Sequence, residues 1–295
     1  MKAKPLSGLP LAEKLRREIK LRAQALAEKR GVPPMLAIVA VGGDAGAQVF
    51  LRKKLEACRE AGFETTVESL PAGTSEAKVA RLIAALGQNA DVDGIVLDLP
   101  VPEPLDAGRI VEHIPAEKDV EGVTPQNAGR FYAQKSWDEI KKAAVLAPCT
   151  AYAIAHLVRE TKIDPAGRRA VVLGRSSIVG RPTAHLLSCL DATVTLCHSR
   201  SQDLKDLVSS ADILVCAMGR PGLVKGSWVK AGAVVVDAGV NAIDGRIVGD
   251  IDAEGAAKRA AWLTPVVGGV GPLTVTFLLY NTVLAAERRT KKTLG

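Results

Sequence analysis

The stretch that most restricts what this chain can fold into is Arg169 to Pro182, RAVVLGRSSIVGRP. Ala170 to Leu173 form a short apolar run of strand type, and Gly174 breaks it. Ser176 and Ser177 then precede a segment, Ile178 to Leu190, whose apolar residues recur at helical spacing. Strand, tight turn and helix in that order outline a dinucleotide-binding turn. A glycine there lets the backbone approach a pyrophosphate, and the N–H groups at the helix start face its charge. The spacing, Gly174 then Gly180, lacks the central glycine of G-x-G-x-x-G. On spacing alone, an ordinary strand-to-helix turn of an α/β protein stands beside the nucleotide reading.

The flanking sequence has the matching alternation. A helix is predicted over Leu11 to Lys29, a strand over Met35 to Val41, a helix over Ala47 to Ala61 and a strand over Phe63 to Leu70. A Thr74-Ser75-Glu76 cap opens a helix to Leu86, and a strand follows at Gly94 to Leu99. Beyond the turn, strands are predicted at Thr193 to Cys197, Ile213 to Ala217 and Ala233 to Asp237. A glycine-rich loop, Leu263 to Pro272, and an apolar helix, Leu273 to Arg288, come last. Alternating strands and helices imply parallel sheets, and 295 residues suffice for two domains. Residues 115–146, with a charged stretch around Trp137, read as a connecting region that holds the boundary.

Composition narrows the partners. A net charge of +7 carried with 32 acidic residues, and without a long basic block, suits anionic small ligands and does not require nucleic acid. Aromatics are too sparse for base stacking. Five cysteines without a C-x-x-C pair predict reduced thiols and a cytoplasmic location. No apolar leader and no bilayer-length segment are read, so no membrane is expected. His113, His156, His185 and His198 are scattered, and no metal is expected.

Ligands of doubly wound sheets collect beyond the carboxyl ends of the strands, which selects Gly42, Gly43 and Asp98 in the first half. Phe50 and Lys54, four apart, share one helix face. Lys54 is the candidate acid/base; alternatively it is a solvated charge beside Arg52 and Lys53. Asp98, close to Pro100 and Pro102, serves the site or caps a turn. In the second half, the position where a carboxylate would hold ribose hydroxyls reads Cys197-His198-Ser199-Arg200. Ser199, Arg200 and Arg175 suit a 2′-phosphate, which favours NADP, or they are solvated loop residues.

Taken together, GRSSIVGRP, VVDAGVN at Val235 to Asn241, VGD at Val248 to Asp250 and TPVVGGVGPLTV at Thr264 to Val275 carry a resemblance. So do DGIVLDLPVP at Asp93 to Pro102, KDVEG at Lys118 to Gly122 and PCT at Pro148 to Thr150. Over nearly its whole length the chain resembles the bifunctional methylenetetrahydrofolate dehydrogenase/cyclohydrolase family. The resemblance implies two α/β domains with a folate cleft between them, the second a Rossmann-like doubly wound parallel sheet. The domains would be 1–148, rejoined by the C-terminal helix 272–295, and 149–271. It also implies NADP as cofactor, a tetrahydrofolate derivative as substrate and a homodimer in one-carbon metabolism. Lys54 would be catalytic, and Phe50, Asp98, Leu99, Glu121 and the wall Gly268, Gly269, Val270, Gly271 and Pro272 would bind substrate. Gly174, Arg175, Ser176, Ser199, Arg200 and Val240 would bind cofactor.

The chain departs from the family's pattern on the folate side. The family's Y-x-x-x-K, with a Ser three residues before the Tyr, is Ala47, Phe50 and Lys54 here. The Gln of Q-L-P-[LV]-P is Asp98, and the second Asp of K-D-V-D-G is Glu121. Val267 and Ala151 replace prolines of P-G-G-V-G-P and P-C-T-P. A carboxylate at Asp98, should it reach Lys54, would favour the ammonium and weaken it as a base. Dehydrogenation is therefore expected to survive better than hydrolysis. Action on a modified folate or another one-carbon adduct, and ligand binding without turnover, are the alternatives.

Overall fold

The computed structural model describes residues 2–43, 45–243 and 245–294, with the backbone alone at 45–47 and 292–294. The first half runs β1 (Lys4–Pro5), α1 (Leu9–Arg30), β2 (Met35–Val41), α2 (Ala45–Ala61), β3 (Glu64–Leu70), α3 (Glu76–Gln88), β4 (Gly94–Leu97) and α4 (Ala107–Val111). Then come α5 (Pro125–Tyr132), α6 (Trp137–Lys142), α7 (Cys149–Glu160), β5 (Arg169–Leu173), α8 (Gly180–Ser188), β6 (Thr193–Cys197), α9 (Leu204–Ser210) and β7 (Ile213–Cys216). The chain ends with β8 (Val234–Asp237), β9 (Asn241–Ile243), β10 (Arg246–Val248), α10 (Ala253–Ala257), β11 (Trp262–Leu263) and α11 (Val270–Leu294).

These elements form two compact units. One comprises Glu13–Phe131, Ala144–Ala147 and Val275–Gly295. Its sheet has the order β3-β2-β4, all parallel. The central and β4 strands are nearly unbroken apolar runs because both of their faces are covered. On α3, Val79, Ile83 and Leu86 fall on one face and are buried against β2 and β4 residues such as Val39 and Ile95. Each contributes roughly 1.5–3 kcal/mol by leaving water. Ser75 takes the predicted N-cap position of α3, but its side chain makes no cap bond.

The other unit comprises Met1–Ala12, Tyr132–Ala143 and Pro148–Thr274. Its six-stranded sheet has the order β1-β11-β8-β7-β5-β6, parallel throughout, with β9 and β10 paired as a separate antiparallel ribbon. The strand order reverses at β5, with β6 on one side and β7 on the other. This is the Rossmann-like, doubly wound arrangement.

Three expectations need correction. The start of the chain does not stay with the first domain, because Lys4 and Pro5 pair with Trp262 and Leu263 and complete the edge of the larger sheet. Residues 115–146 are not a loose connection: α5 and α6 bury Phe131, Trp137 and Ile140, and the Trp137 ring stacks on Tyr152 at 5.2 Å. Finally, among the described residues one helix is long and apolar enough to cross a membrane, over Val270–Lys291. In the structure 67% of that stretch is buried, with Phe277, Leu279 and Val283 in the core. Asn281 on the same helix donates to the carbonyls of Val120, at 2.8 Å, and Ala147, at 3.0 Å. Its apolarity thus belongs to a core helix.

Beside Trp137, His156 is pushed down to about 4 by burial, with the positive charges of Arg159 and Lys141 adding to the effect. Below about pH 6.5 the unfolded chain takes up a proton that the folded chain refuses, so stability falls as the pH drops from about 6.5 to 4. Replacing His156 with Phe is expected to flatten that loss, which is on the order of 1–3 kcal/mol. Urea unfolding at pH 7 and pH 4.5 reads it; an unchanged slope with pH would exclude His156 as the cause.

Candidate functional site

In the three-stranded unit, β4 ends at Leu97 and delivers Asp98 beyond its carboxyl edge, where the Asp98 N–H donates to the Val39 carbonyl at 2.8 Å. Helix α2 carries Lys54 to the same place. Lys54 Nζ donates to Asp98 Oδ1 at 2.5 Å, and the two side chains are 17% and 9% exposed. Lys54 is therefore not a solvated surface charge, and Asp98 does not serve as a turn cap. Its neighbour Cys58 is buried, and burial pushes the thiol up to about 12, so it stays protonated and is no nucleophile.

Glu121 comes from the loop between α4 and α5, which is tied to β4 where the Ile95 N–H donates to the Lys118 carbonyl at 2.8 Å. It is partly buried and is pushed up to about 7, chiefly by burial; the Lys54 charge opposes the shift, and Asp119 and Asp98 add to it. The loop that holds it is organised by Asp119, which is fully buried. Asp119 accepts from the Val123 and Thr124 N–H groups, at 3.2 and 2.8 Å, and from Asn127 Nδ2 at 2.9 Å. Gly122 has φ +65°, and a Cβ there would lie 2.2 Å from the Leu146 carbonyl oxygen. Asp119 was missed in the sequence because the KDVEG motif draws attention to Glu121, and a carboxylate that serves mainly backbone donors has no spacing signature.

Lys54 and Asp98 thus come together, and Glu121 feels the charges of both. Phe50, one turn before Lys54, is 40% exposed and lies under Lys53, whose Nζ is 5.9 Å from the ring centre. Leu99 is exposed as well. The side chain of Ala47 lies outside the described residues.

In the six-stranded unit, Gly174 follows β5 at the point where the strand order reverses. Its φ is +112°, and a Cβ there would come within 2.2 Å of the Ala217 carbonyl oxygen. A Cβ on Gly180 would come within 1.9 Å of the Gly174 carbonyl oxygen. Both glycines are dictated by close backbone approach, and the turn needs no central one. Ser176 Oγ accepts from the N–H groups of Val179, at 3.2 Å, and Gly180, at 3.3 Å, so this hydroxyl is engaged at the start of α8. Arg175, Ser199, Arg200 and Val240 are exposed. The Arg200 N–H donates to His198 Nδ1 at 3.1 Å, which turns the loop after β6. A glycine cradle at the switch point, with exposed guanidinium groups nearby in sequence, fits a phosphorylated dinucleotide.

Two carboxylates that the sequence placed only inside motifs hold the neighbouring loops. Asp250, fully buried, accepts from Met218 N–H at 2.6 Å, Gly219 N–H at 3.1 Å, Arg220 N–H at 2.8 Å and Asn241 Nδ2 at 3.0 Å. Asp237 accepts from the N–H groups of Gly239, Asp250 and Ile251. It is pushed up to about 6, chiefly by burial and against those three donors, with Asp250 adding to the effect.

The segment Gly268 to Pro272 is less of a loop than expected. Gly268, at φ +90°, accepts from the Gly8 N–H through its carbonyl at 2.9 Å, and a Cβ on Gly8 would meet the Gly269 carbonyl oxygen at 2.1 Å. Val270, Gly271 and Pro272 already lie in the first turn of α11. Proline is accommodated there because the first N–H groups of a helix have no partner within it. Only Gly268 and Gly269 of this segment precede the helix.

Residues 148–290 match the tetrahydrofolate dehydrogenase/cyclohydrolase NAD(P)-binding domain, and residues 6–121 match the catalytic domain of the same family. The chain is 43% identical over 290 residues to the bifunctional protein FolD of Acidithiobacillus ferrooxidans, covering 98% of each chain. It is 42% identical over 289 residues to that of Moorella thermoacetica, covering 98% of this chain and 100% of the relative. Among solved structures, the bifunctional FolD dehydrogenase/cyclohydrolase of Campylobacter jejuni superposes with a TM-score of 0.90 at 36% identity, over 97% of this chain and 99% of that one. The Trypanosoma brucei enzyme, complexed with NADP cofactor and inhibitor, gives a TM-score of 0.90 at 35% identity over 98% of each chain.

Proposed function

The chain belongs to the tetrahydrofolate dehydrogenase/cyclohydrolase family, and from that premise we propose that it oxidises 5,10-methylenetetrahydrofolate to the methenyl form with NADP. Its hydrolysis of the methenyl form to 10-formyltetrahydrofolate is weakened or lost. Lys54 is the group that would assist water, and Phe50, Asp98 and Glu121 shape the folate site around it. Gly174, Gly180 and the α8 start receive the pyrophosphate, and Arg175, Ser199 and Arg200 receive the 2′-phosphate. Bound NADP supplies the hydride acceptor. The oxidation asks the protein mainly for positioning.

The weakened second step rests on one observation, the 2.5 Å bond from Lys54 to Asp98. An ammonium that donates to a carboxylate is committed to that partner, and so held it is less available to the attacking water. Phe50 offers no hydroxyl to compete for that ammonium.

Following NADPH formation and the methenyl chromophore separately on purified protein tests the reading. Oxidation with persistent methenyl product is expected, and Asp98→Asn or Asp98→Gln should speed its disappearance about tenfold or more, the effect of releasing a general base. Prompt hydrolysis by the unaltered chain would refute the weakened step. Absence of NADPH formation would point instead to a modified folate or to binding without turnover. Lys54→Met should remove whatever hydrolysis remains and cost the oxidation far less. The protein is also proposed to be a cytoplasmic homodimer; light scattering on the eluting protein would contradict the dimer by returning the 31.0 kDa of one chain.

A further inference from the structure

At the carboxyl end of β4, one ammonium faces two carboxylates. Lys54 is already bonded to Asp98, and Glu121 lies within electrostatic reach of both. With Glu121 ionised, the formal charges of Lys54, Asp98 and Glu121 sum to one unit negative, and Asp119 beside Glu121 adds a further carboxylate. Asp98 is 9% exposed and Lys54 17% exposed, so water screens this charge poorly.

The reaction proposed above changes the charge of its folate. Methylenetetrahydrofolate is neutral at the one-carbon bridge. When the hydride leaves with the electron pair of the C–H bond, the bridge becomes a cation shared by carbon and its two nitrogens. Taking that reaction as given, we propose that Asp98 and Glu121 are specificity-determining residues that make this site select the cationic folate over neutral folates of the same size. A negative cluster stabilises positive charge as it develops during hydride departure, and so favours the oxidation. It also holds the cation against the addition of water, which would discharge it. The same two carboxylates therefore promote the first step and retard the second.

The groups that face Glu121 are Lys54 from α2, Asp98 from the end of β4 and Asp119 from its own loop; Cys58, on α2, stays a neutral thiol. Because Glu121 is pushed up to about 7, the cluster gains its negative charge as the pH rises through neutrality. Selectivity for the cation should be greater at pH 8 than at pH 6.

The test compares binding of 5,10-methenyltetrahydrofolate, the cation, with 5-formyltetrahydrofolate, a folate of similar size whose one-carbon unit is a neutral amide on a single nitrogen. Intrinsic fluorescence is read in a stopped-flow instrument, before the cation can hydrolyse in solution. The ratio of the two dissociation constants is expected to shift about tenfold against the cation in Asp98→Asn, the order produced by removing one nearby charge. Asp98→Glu should restore it, which separates charge from simple disruption of the site. Glu121→Gln should lower the ratio at pH 8 and leave it unchanged at pH 6. An unaltered ratio in Asp98→Asn, with both folates still binding, would overturn the selectivity and leave the proposed reaction standing. Failure of the unaltered protein to bind either folate would overturn the reaction on which it rests.

Discussion

Replacing Gly174 with alanine is expected to abolish measurable NADP binding. The added methyl would lie 2.2 Å from the Ala217 carbonyl oxygen, which follows β7, and the backbone at +112° is one that side chains rarely adopt. The carbonyl is anchored, because the Ala217 N–H donates to the Leu173 carbonyl at 2.9 Å, so relief requires β5 and β7 to part at their carboxyl ends. That is where the turn must present its N–H groups to the pyrophosphate. A loss of about 100-fold or more in NADP affinity is expected, together with a stability loss on the order of 2–4 kcal/mol from backbone strain and overpacking. Calorimetric titration with NADP and urea unfolding read the two effects. An affinity within threefold of the unaltered chain would show that this turn does not hold the pyrophosphate.

Asp250→Ala should be nearly as damaging, for a different reason. Its carboxylate gathers three successive N–H groups, Met218 to Arg220, and the Asn241 amide. Alanine strands these donors at a buried position, at roughly 1–3 kcal/mol for each that water does not reach. A destabilisation of about 4 kcal/mol or more is expected, with the loop after β7 loosened beside the nucleotide turn. Asp250→Asn keeps one accepting oxygen and should lose less. Equal, small losses for both variants in denaturant unfolding would assign the carboxylate little part in holding the loop.

What the sequence made legible follows from the physics of each signal. The strands β2 and β5 were found nearly to the residue because strands covered on both faces must be apolar throughout. Gly174 and Gly180 were found because tight backbone approach admits no other residue. Lys54 and Asp98 could be named, but spacing could not tell a buried ion pair from a surface charge and a turn cap. Their meeting depends on α2 and β4, which are 44 positions apart at the paired residues. Asp119, Asp237 and Asp250 went without roles because carboxylates that serve backbone donors leave no periodic trace. The edge strand β1 was invisible for a similar reason: Lys4 and Pro5 are extended only because Trp262 and Leu263 lie beside them.

That edge strand bears on how the chain is made. Met1–Ala12 belongs to a unit whose other parts reach to Thr274, and the second unit is completed by Val275–Gly295. During synthesis the opening residues emerge long before β11 exists to receive them. The three-stranded unit, for its part, waits for Phe277, Leu279 and Asn281 to fill its core. Neither unit can finish folding while the ribosome still holds the final helix. The two therefore reach their native states almost together, once α11 is free to pack, and not one after the other as separate beads on a string.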